Sequence, residues 1–412
     1  MAVSQPKLNL EKSLRMFEES KKLSPGGMMG IRRPYNFIVG EYPIFLERGY
    51  KGHIVDVDGN DYIDMLCAYG PIILGYDEEE INAAAIAQMK KGFCFSLVQP
   101  IQNELERRLI DLIPSAEMVI LVKTGSDATS VAVRIARGYT DRNVILRCGY
   151  HGWHDWAVES HGGIPKCIQD LTVEFPYGDL DALEATLKAH QGDVAGIIIT
   201  PVGHPLALPV QAPPEGYLEG VRRLADTYKV VLIFDEIRTG FRAAMGGAQE
   251  RYNVTPDLST FGKALGNGYP ISAVVGKTEF MQVCESKVFV SSTYFPNSLE
   301  MVASMKCLEI LEREKVQDAI WERGTRFLER LGAIVDTSGV PVTTSGIPPM
   351  PFLTFDRVDD DYRERRTAFY TQCIRRGLFV QPYHHWYICY RHTEADLDRA
   401  LAVVEESLAY VN

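Results

Sequence analysis

Several features are missing from this sequence, and each absence narrows the field. No apolar run approaches the roughly 20 residues that a membrane-spanning helix needs. Residues 1–22 are polar and amphipathic and do not read as a signal peptide. Positive charge is in deficit. Lys and Arg number 43 against 54 Asp and Glu, a formal net charge of −11, which argues against a nucleic-acid or anionic-membrane surface. The 8 cysteines are scattered, with no zinc or disulfide spacing among them, so no metal site is expected and the thiols read as reduced. That pattern points to a cytoplasmic protein. Repeats, low-complexity tracts and long linkers are also missing.

What is present is an ordinary globular composition on a long chain. The 412 residues are 46% hydrophobic and 24% charged, enough to bury a large core. Residues 10–23 have helical spacing. Residues 24–34 read as an irregular loop, and 43–66 as short antiparallel strands turning at Asp58-Gly59-Asn60. From about residue 77, helical stretches (78–91, 100–112, 126–139, 180–190, 215–228) alternate with short apolar runs. Those runs are Met118–Val122, Val144–Leu146, Ala195–Ile199, Val230–Phe234 and Ile271–Val275. Such alternation predicts a mostly parallel sheet covered on both faces by helices. A long helix near 297–315 closes this region. The remainder mixes helices with strands near Pro351–Phe355 and Trp386–Tyr390, and ends in a helix over Glu394–Tyr410. The division expected is an N-terminal segment (1–76) joining a small α+β domain (316–412), with a large α/β domain (77–315) between.

The chemistry concentrates after the apolar strands. Val231-Leu-Ile-Phe-Asp-Glu-Ile-Arg-Thr-Gly-Phe-Arg242 delivers Asp235 at a strand's carboxyl end, where open α/β sheets bind ligands. Lys263 follows 28 residues later in the glycine-rich Thr260-Phe-Gly-Lys-Ala-Leu-Gly-Asn-Gly-Tyr-Pro270. A lone aspartate after a strand is most often a helix cap, and most lysines are solvated. Together the two residues match the needs of pyridoxal phosphate (PLP), a lysine for a Schiff base and an acid for the pyridinium nitrogen. Thr124-Gly-Ser-Asp-Ala-Thr129 opens a helix whose N-terminus suits a phosphate, or is simply a capped helix. Tyr150-His-Gly-Trp-His-Asp155 offers an aromatic face to a flat cofactor. His151 and His154 as a metal pair lack an evident third ligand.

In order and spacing, these segments resemble the class III aminotransferases of PLP fold type I, and glutamate-1-semialdehyde aminomutases by pattern. The resemblance covers nearly the whole chain, from Ser24-Pro-Gly-Gly-Met28 to His392-Thr-Glu-Ala-Asp-Leu-Asp398. It implies that Lys263 carries PLP and that Asp235 holds the ring nitrogen. Ile237 and Tyr150, with His151, would flank the ring, while Gly125 and Ser126 would bind the phosphate. Thr293 would reach the partner's phosphate, which implies a homodimer with shared sites. For the substrate the resemblance points to Arg33, or Arg32 if the loop shifts by one, and to Tyr69, His384, His385 and Trp386. Tyr69 stands where aminomutases have a tryptophan, Trp386 where they have a glutamate, and Thr200 where the family usually has an acid. The pocket is therefore altered around a retained cofactor apparatus. The Gly125-Ser-Asp-Ala-Thr129 form and the Pro-Gly-Gly-Met loop are similar to enzymes of aminoglycoside antibiotic assembly, which implies an oxo- or amino-sugar substrate. The activity implied is transamination. Its alternative is a PLP-dependent isomerase, an aminomutase or an epimerase, on an amino-sugar or amino-acid substrate. The epimerase would need a second acid, for which Cys67, Tyr69, His384 and His385 are candidates.

Overall fold

The computed structural model describes residues 4–203 and 209–411. They form two compact units, one from residues 4–78, 209–210 and 318–411, the other from 79–203 and 211–317.

The first unit opens with helix α1 (Glu11–Leu23), whose first turn is held from outside: the Asp58 carboxylate accepts the N–H groups of Lys12 and Ser13. Three short strands follow, β1 (Leu46–Tyr50), β2 (His53–Asp56) and β3 (Asp61–Asp64), paired antiparallel in that order. The turn between β2 and β3 is the Asp58-Gly59-Asn60 turn read from the sequence. Asp56 fixes it by accepting the N–H groups of Asp58 and Asn60.

The second unit is built on one seven-stranded sheet. Helices α2 (Glu79–Met89) and α3 (Pro100–Leu112) precede β4 (Met118–Val122), and α4 (Gly125–Thr140) follows it. The remaining strands are β5 (Val144–Cys148), β6 (Thr172–Glu174), β7 (Val194–Ile199), β8 (Val231–Asp235), β9 (Leu258–Phe261) and β10 (Ser272–Gly276). Their order is β4-β10-β9-β8-β7-β5-β6, and β10 alone runs antiparallel to its neighbours. Every residue of β7 and β8 is buried, which is why these strands read as unbroken apolar runs rather than alternating ones. Ile197, Ile198, Leu232 and Ile233 are fully enclosed, each stabilising the sheet by about 1.5–3 kcal/mol. Ala128, Ala132 and Ala136 let α4 lie close on one face. This matches the α/β, mostly parallel sheet predicted.

The chain then completes the first unit. Strands β11 (Val342–Ile347) and β12 (Met350–Phe355) form a hairpin, and β13 (Leu378–Phe379) adds in parallel to β3. Helices Tyr362–Arg375 and Glu394–Val411 pack in the same unit. The strand expected at Trp386–Tyr390 does not form. Its N–H groups alternate between two partners: Trp386 and Ile388 donate to Pro351 and Pro349, Tyr387 and Tyr390 to Met65 and Ile73. Neither side receives enough consecutive bonds to make a ladder.

Candidate active site

The second unit gathers its polar groups at the carboxyl ends of β4, β5, β8 and β9. Asp235, the last residue of β8, is buried and fully engaged. One carboxylate oxygen lies 2.7 Å from Nδ1 of buried His151. The other accepts the Ile237 N–H at 3.1 Å and the Thr260 hydroxyl at 3.3 Å. Neighbouring Glu236 does different work. It is wholly buried, accepts the Thr239 hydroxyl and the N–H groups of Ala248 and Gln249, and so ties the following loop back to the strand.

Lys263 follows β9 with φ at +47°, a left-handed conformation uncommon for residues other than glycine. Burial, then the charges of Arg238 and Arg242, push its amine down to about 7, against the opposing pull of Asp235. The amine is therefore substantially neutral near pH 7. Gly262 gives the lysine room. A Cβ there would lie 2.6 Å from the Ser272 hydroxyl and 3.1 Å from Ile237.

Helix α4 begins beside this cluster. Thr124 caps it in a reciprocal box with Asp127. The N–H groups of Gly125 and Ser126 lie in its first turn, where a helix has no carbonyl of its own to offer, and a 16-residue helix adds its dipole. Gly152, at φ +111°, brings the 150–153 loop against this turn. A Cβ at 152 would sit 2.4 Å from the Ser126 hydroxyl, which itself accepts the Trp153 N–H. Tyr150 keeps 45% of its surface, and its hydroxyl feels the charges of Arg238 and Asp235. The structure thus brings Gly125, Ser126, Tyr150, His151, Asp235, Ile237 and Lys263 into one unit, at the carboxyl ends of β4, β5, β8 and β9. Thr293 is exposed on a loop of the same unit. Thr260, Arg238 and Arg242 were not singled out from the sequence. The two arginines lie inside the Asp235–Arg242 run already quoted, so its charge pattern was the available signal.

The residues suggested for a substrate separate in the first unit. Tyr69 and Arg32 line a cavity of about 550 Å³. Arg33 is turned into its own loop, donating to the Met28 carbonyl at 3.2 Å, so Arg32 rather than Arg33 faces that cavity. Tyr69 ends three consecutive left-handed residues, Cys67, Ala68 and Tyr69 at φ +48°, +54° and +71°. That strain is held by hydrogen bonds from the Tyr69 hydroxyl to the Ile31 carbonyl and from the Tyr387 hydroxyl to the Tyr69 carbonyl. His384 sets its ring edge-on against Tyr69, centroids 5.2 Å apart. Trp386 is fully buried, its ring edge-on to Phe327. His385 is equally buried, between His384 and Tyr387. Cys67 lies in a buried group with Cys389 and His392, ligand atoms within 4.8 Å of one another, the metal-type cluster found among the described residues. His154 instead pairs with Ser130 at 2.7 Å.

The unit-two arrangement fits pyridoxal phosphate on its own terms. It offers a buried lysine with a lowered pKa, a buried carboxylate anchored on both oxygens, and the N–H groups of Gly125 and Ser126 in the first turn of α4. No helix among the described residues is long and apolar enough to cross a membrane. Comparison with known proteins agrees. The family pattern of class-III aminotransferases matches residues 36–390. The chain is 58% identical over 98% of both lengths to the 3-aminobutyryl-CoA aminotransferase of Cloacimonas acidaminovorans (strain Evry). It is 32% identical to a glutamate-1-semialdehyde 2,1-aminomutase of Brevibacillus brevis, over 96% of this chain and 97% of that one. Among solved structures, the PLP internal aldimine form of the FumI protein of Sphingopyxis sp. MTA144 superposes with a TM-score of 0.92 at 30% identity, covering 97% of this chain and 96% of that one. These relatives lend no support to the antibiotic-assembly subgroup. The chain belongs to the class-III aminotransferases of PLP fold type I, and it is a PLP-dependent transaminase.

Proposed function

We propose that this transaminase acts on a β-amino acyl thioester of the 3-aminobutyryl-CoA kind. The observation that carries this reading is the 58% identity over 98% of both chains to a 3-aminobutyryl-CoA aminotransferase, against 32% to an aminomutase. The acyl-thioester reading takes the place of the amino-sugar expectation. The departure at Tyr69, which lines the cavity, agrees with a pocket remade for something other than glutamate-1-semialdehyde.

PLP, when bound, supplies a carbonyl that condenses with amines and a ring that accepts electrons from the amine-bearing carbon. The chain supplies the rest. Lys263 holds the cofactor. Its Nζ is the base this chain would place to move the proton of the amine-bearing carbon, and its burial favours the neutral amine that such a base needs. Asp235 would face the ring nitrogen, and His151, with Thr260 and the Ile237 N–H, keeps that carboxylate from turning. Gly125 and Ser126 take the phosphate at the start of α4, and Ile237 and Tyr150 bound the ring. Thr293 completes a second copy's phosphate site. Phe289, Tyr294 and Trp153, exposed at 80%, 62% and 70%, supply apolar surface for that homodimer. Sedimentation tests the dimer, and a monomeric active species would refute it.

The test of function is the yellow band of the holoenzyme on adding 3-aminobutyryl-CoA without an acceptor. Stoichiometric loss of the band, restored by a 2-oxo acid, is the expected result. A band that ignores the thioester but responds to other amines would overturn the substrate. Turnover with no dependence on an acceptor would favour the isomerase instead.

A further inference from the structure

We propose that Cys67, Cys389 and His392 form a buried binding site for a soft divalent metal ion of the zinc type, apart from the cofactor residues. All three belong to the first unit, so the site asks nothing of the second. Their ligand atoms, two sulphurs and one ring nitrogen, lie within 4.8 Å of one another, and all three residues are buried. On a tetrahedral zinc, with Zn–S about 2.3 Å and Zn–N about 2.0 Å, ligand atoms stand roughly 3.5–3.8 Å apart. The cluster is already on that scale. The charges also balance. Two thiolates neutralise a divalent cation, so the closed site buries no net charge. Thiolate with imidazole is a donor set for zinc, not for magnesium or calcium.

Two further observations point to a ligand here. His392 is fully buried with only one ring nitrogen in use: Nδ1 accepts the Cys389 N–H at 3.1 Å, while Nε2 has no hydrogen-bond partner among the described residues. Buried polar atoms are rarely left so, and imidazole is the commonest protein ligand for a metal. Around Cys67, the carbonyl oxygens of Asp64 and Tyr387 lie 3.3 and 3.7 Å from the sulphur. A sulphur and an oxygen on one tetrahedral zinc stand about 3.5 Å apart, so these carbonyls are candidates for the fourth position. The ion would also steady a strained segment. Cys67 opens the left-handed run that ends at Tyr69, and coordination would tie that run to Cys389, 322 residues further along the chain. Binding releases the two thiol protons, so affinity falls as the pH is lowered.

The experiment uses the holoenzyme, reduced and freed of metal with a chelator, and titrates in cobalt(II) and then zinc. One cobalt per chain is expected, with the visible bands of a tetrahedral ion to the red of the cofactor's absorption, and zinc should displace it. Cys67→Ser and Cys389→Ser should each weaken zinc binding at least about a hundredfold, while Cys284→Ser, outside the cluster, leaves it unchanged. Zinc should raise the melting temperature of wild type and of neither cluster variant. Alkylation with peptide mapping needs no substitution: zinc should slow the labelling of Cys67 and Cys389 and leave that of exposed Cys94 as it was. Cobalt that stays octahedral, or metal binding unchanged in both folded serine variants with neither thiol protected, overturns the site. A protein that takes up neither metal, but in which hydrogen peroxide joins Cys67 to Cys389, would make the pair a redox couple and equally overturn the metal assignment.

Discussion

Lys263 offers the sharpest quantitative test. Burial is the main cause of its depressed pKa, and Arg238 adds to it, while Asp235 opposes both. At about 7 instead of 10.5, roughly half of the amine is neutral at pH 7, where an ordinary lysine is neutral in roughly one molecule in three thousand. Charging this amine in the folded state therefore costs on the order of 5 kcal/mol more than in the unfolded chain. The sign for the apoenzyme follows. The folded-state pKa lies below the unfolded one, so the stabilisation is fully present above pH 10.5 and is lost as the pH falls through about 7. The assay is acylation of the apoenzyme across pH 5–11, with the Lys263 peptide followed by mass spectrometry. Arg238→Gln removes a positive neighbour and should move the midpoint up; Asp235→Asn removes a negative one and should move it down. A wild-type midpoint above 9, or both substitutions shifting it the same way, would refute the electrostatic account.

Four further outcomes are expected. Asp235→Asn should lower kcat at least about a hundredfold in single-turnover kinetics, because the group that stabilises charge on the ring is gone. Arg32→Ala should raise KM for the substrate about tenfold, the loss of one charged contact, while Arg33→Ala, whose guanidinium serves its own loop, should leave KM near wild type. Gly152→Ala forces a left-handed alanine against the Ser126 hydroxyl, so spectroscopic titration should show weaker PLP binding by roughly tenfold. Glu236→Ala leaves buried N–H groups of Ala248 and Gln249 unmet and should destabilise the fold by about 3 kcal/mol, read as a lower urea midpoint.

The segments gathered at the carboxyl ends of β4, β8 and β9 were legible because they are local. Asp235 closes a buried apolar strand, Lys263 sits in its own glycine-rich loop, and Gly125-Ser126 open a helix, so each piece is a short contiguous pattern fixed by backbone geometry. The parallel sheet was legible for the same reason, since β7 and β8, buried on both faces, must be apolar throughout. What joins distant segments was not. Trp386 reads as a pocket aromatic beside two histidines, yet tertiary packing encloses it against Phe327. The stretch 386–390 is apolar like a strand, but its hydrogen bonds are divided between two neighbours, and no periodicity reveals that. Cys67 and Cys389 are 322 residues apart in the chain and meet with His392 only because the fold closes over them. Arg32 and Arg33 are chemically equivalent in sequence; the turn at residues 30–36 decides which faces the cavity and which bonds to Met28. Sequence by itself determined the chemistry, because catalysis demands particular functional groups on short, rigid motifs. The tertiary structure alone decided which side chains share a surface, because burial and hydrogen-bond partners depend on chain crossings that local patterns do not encode.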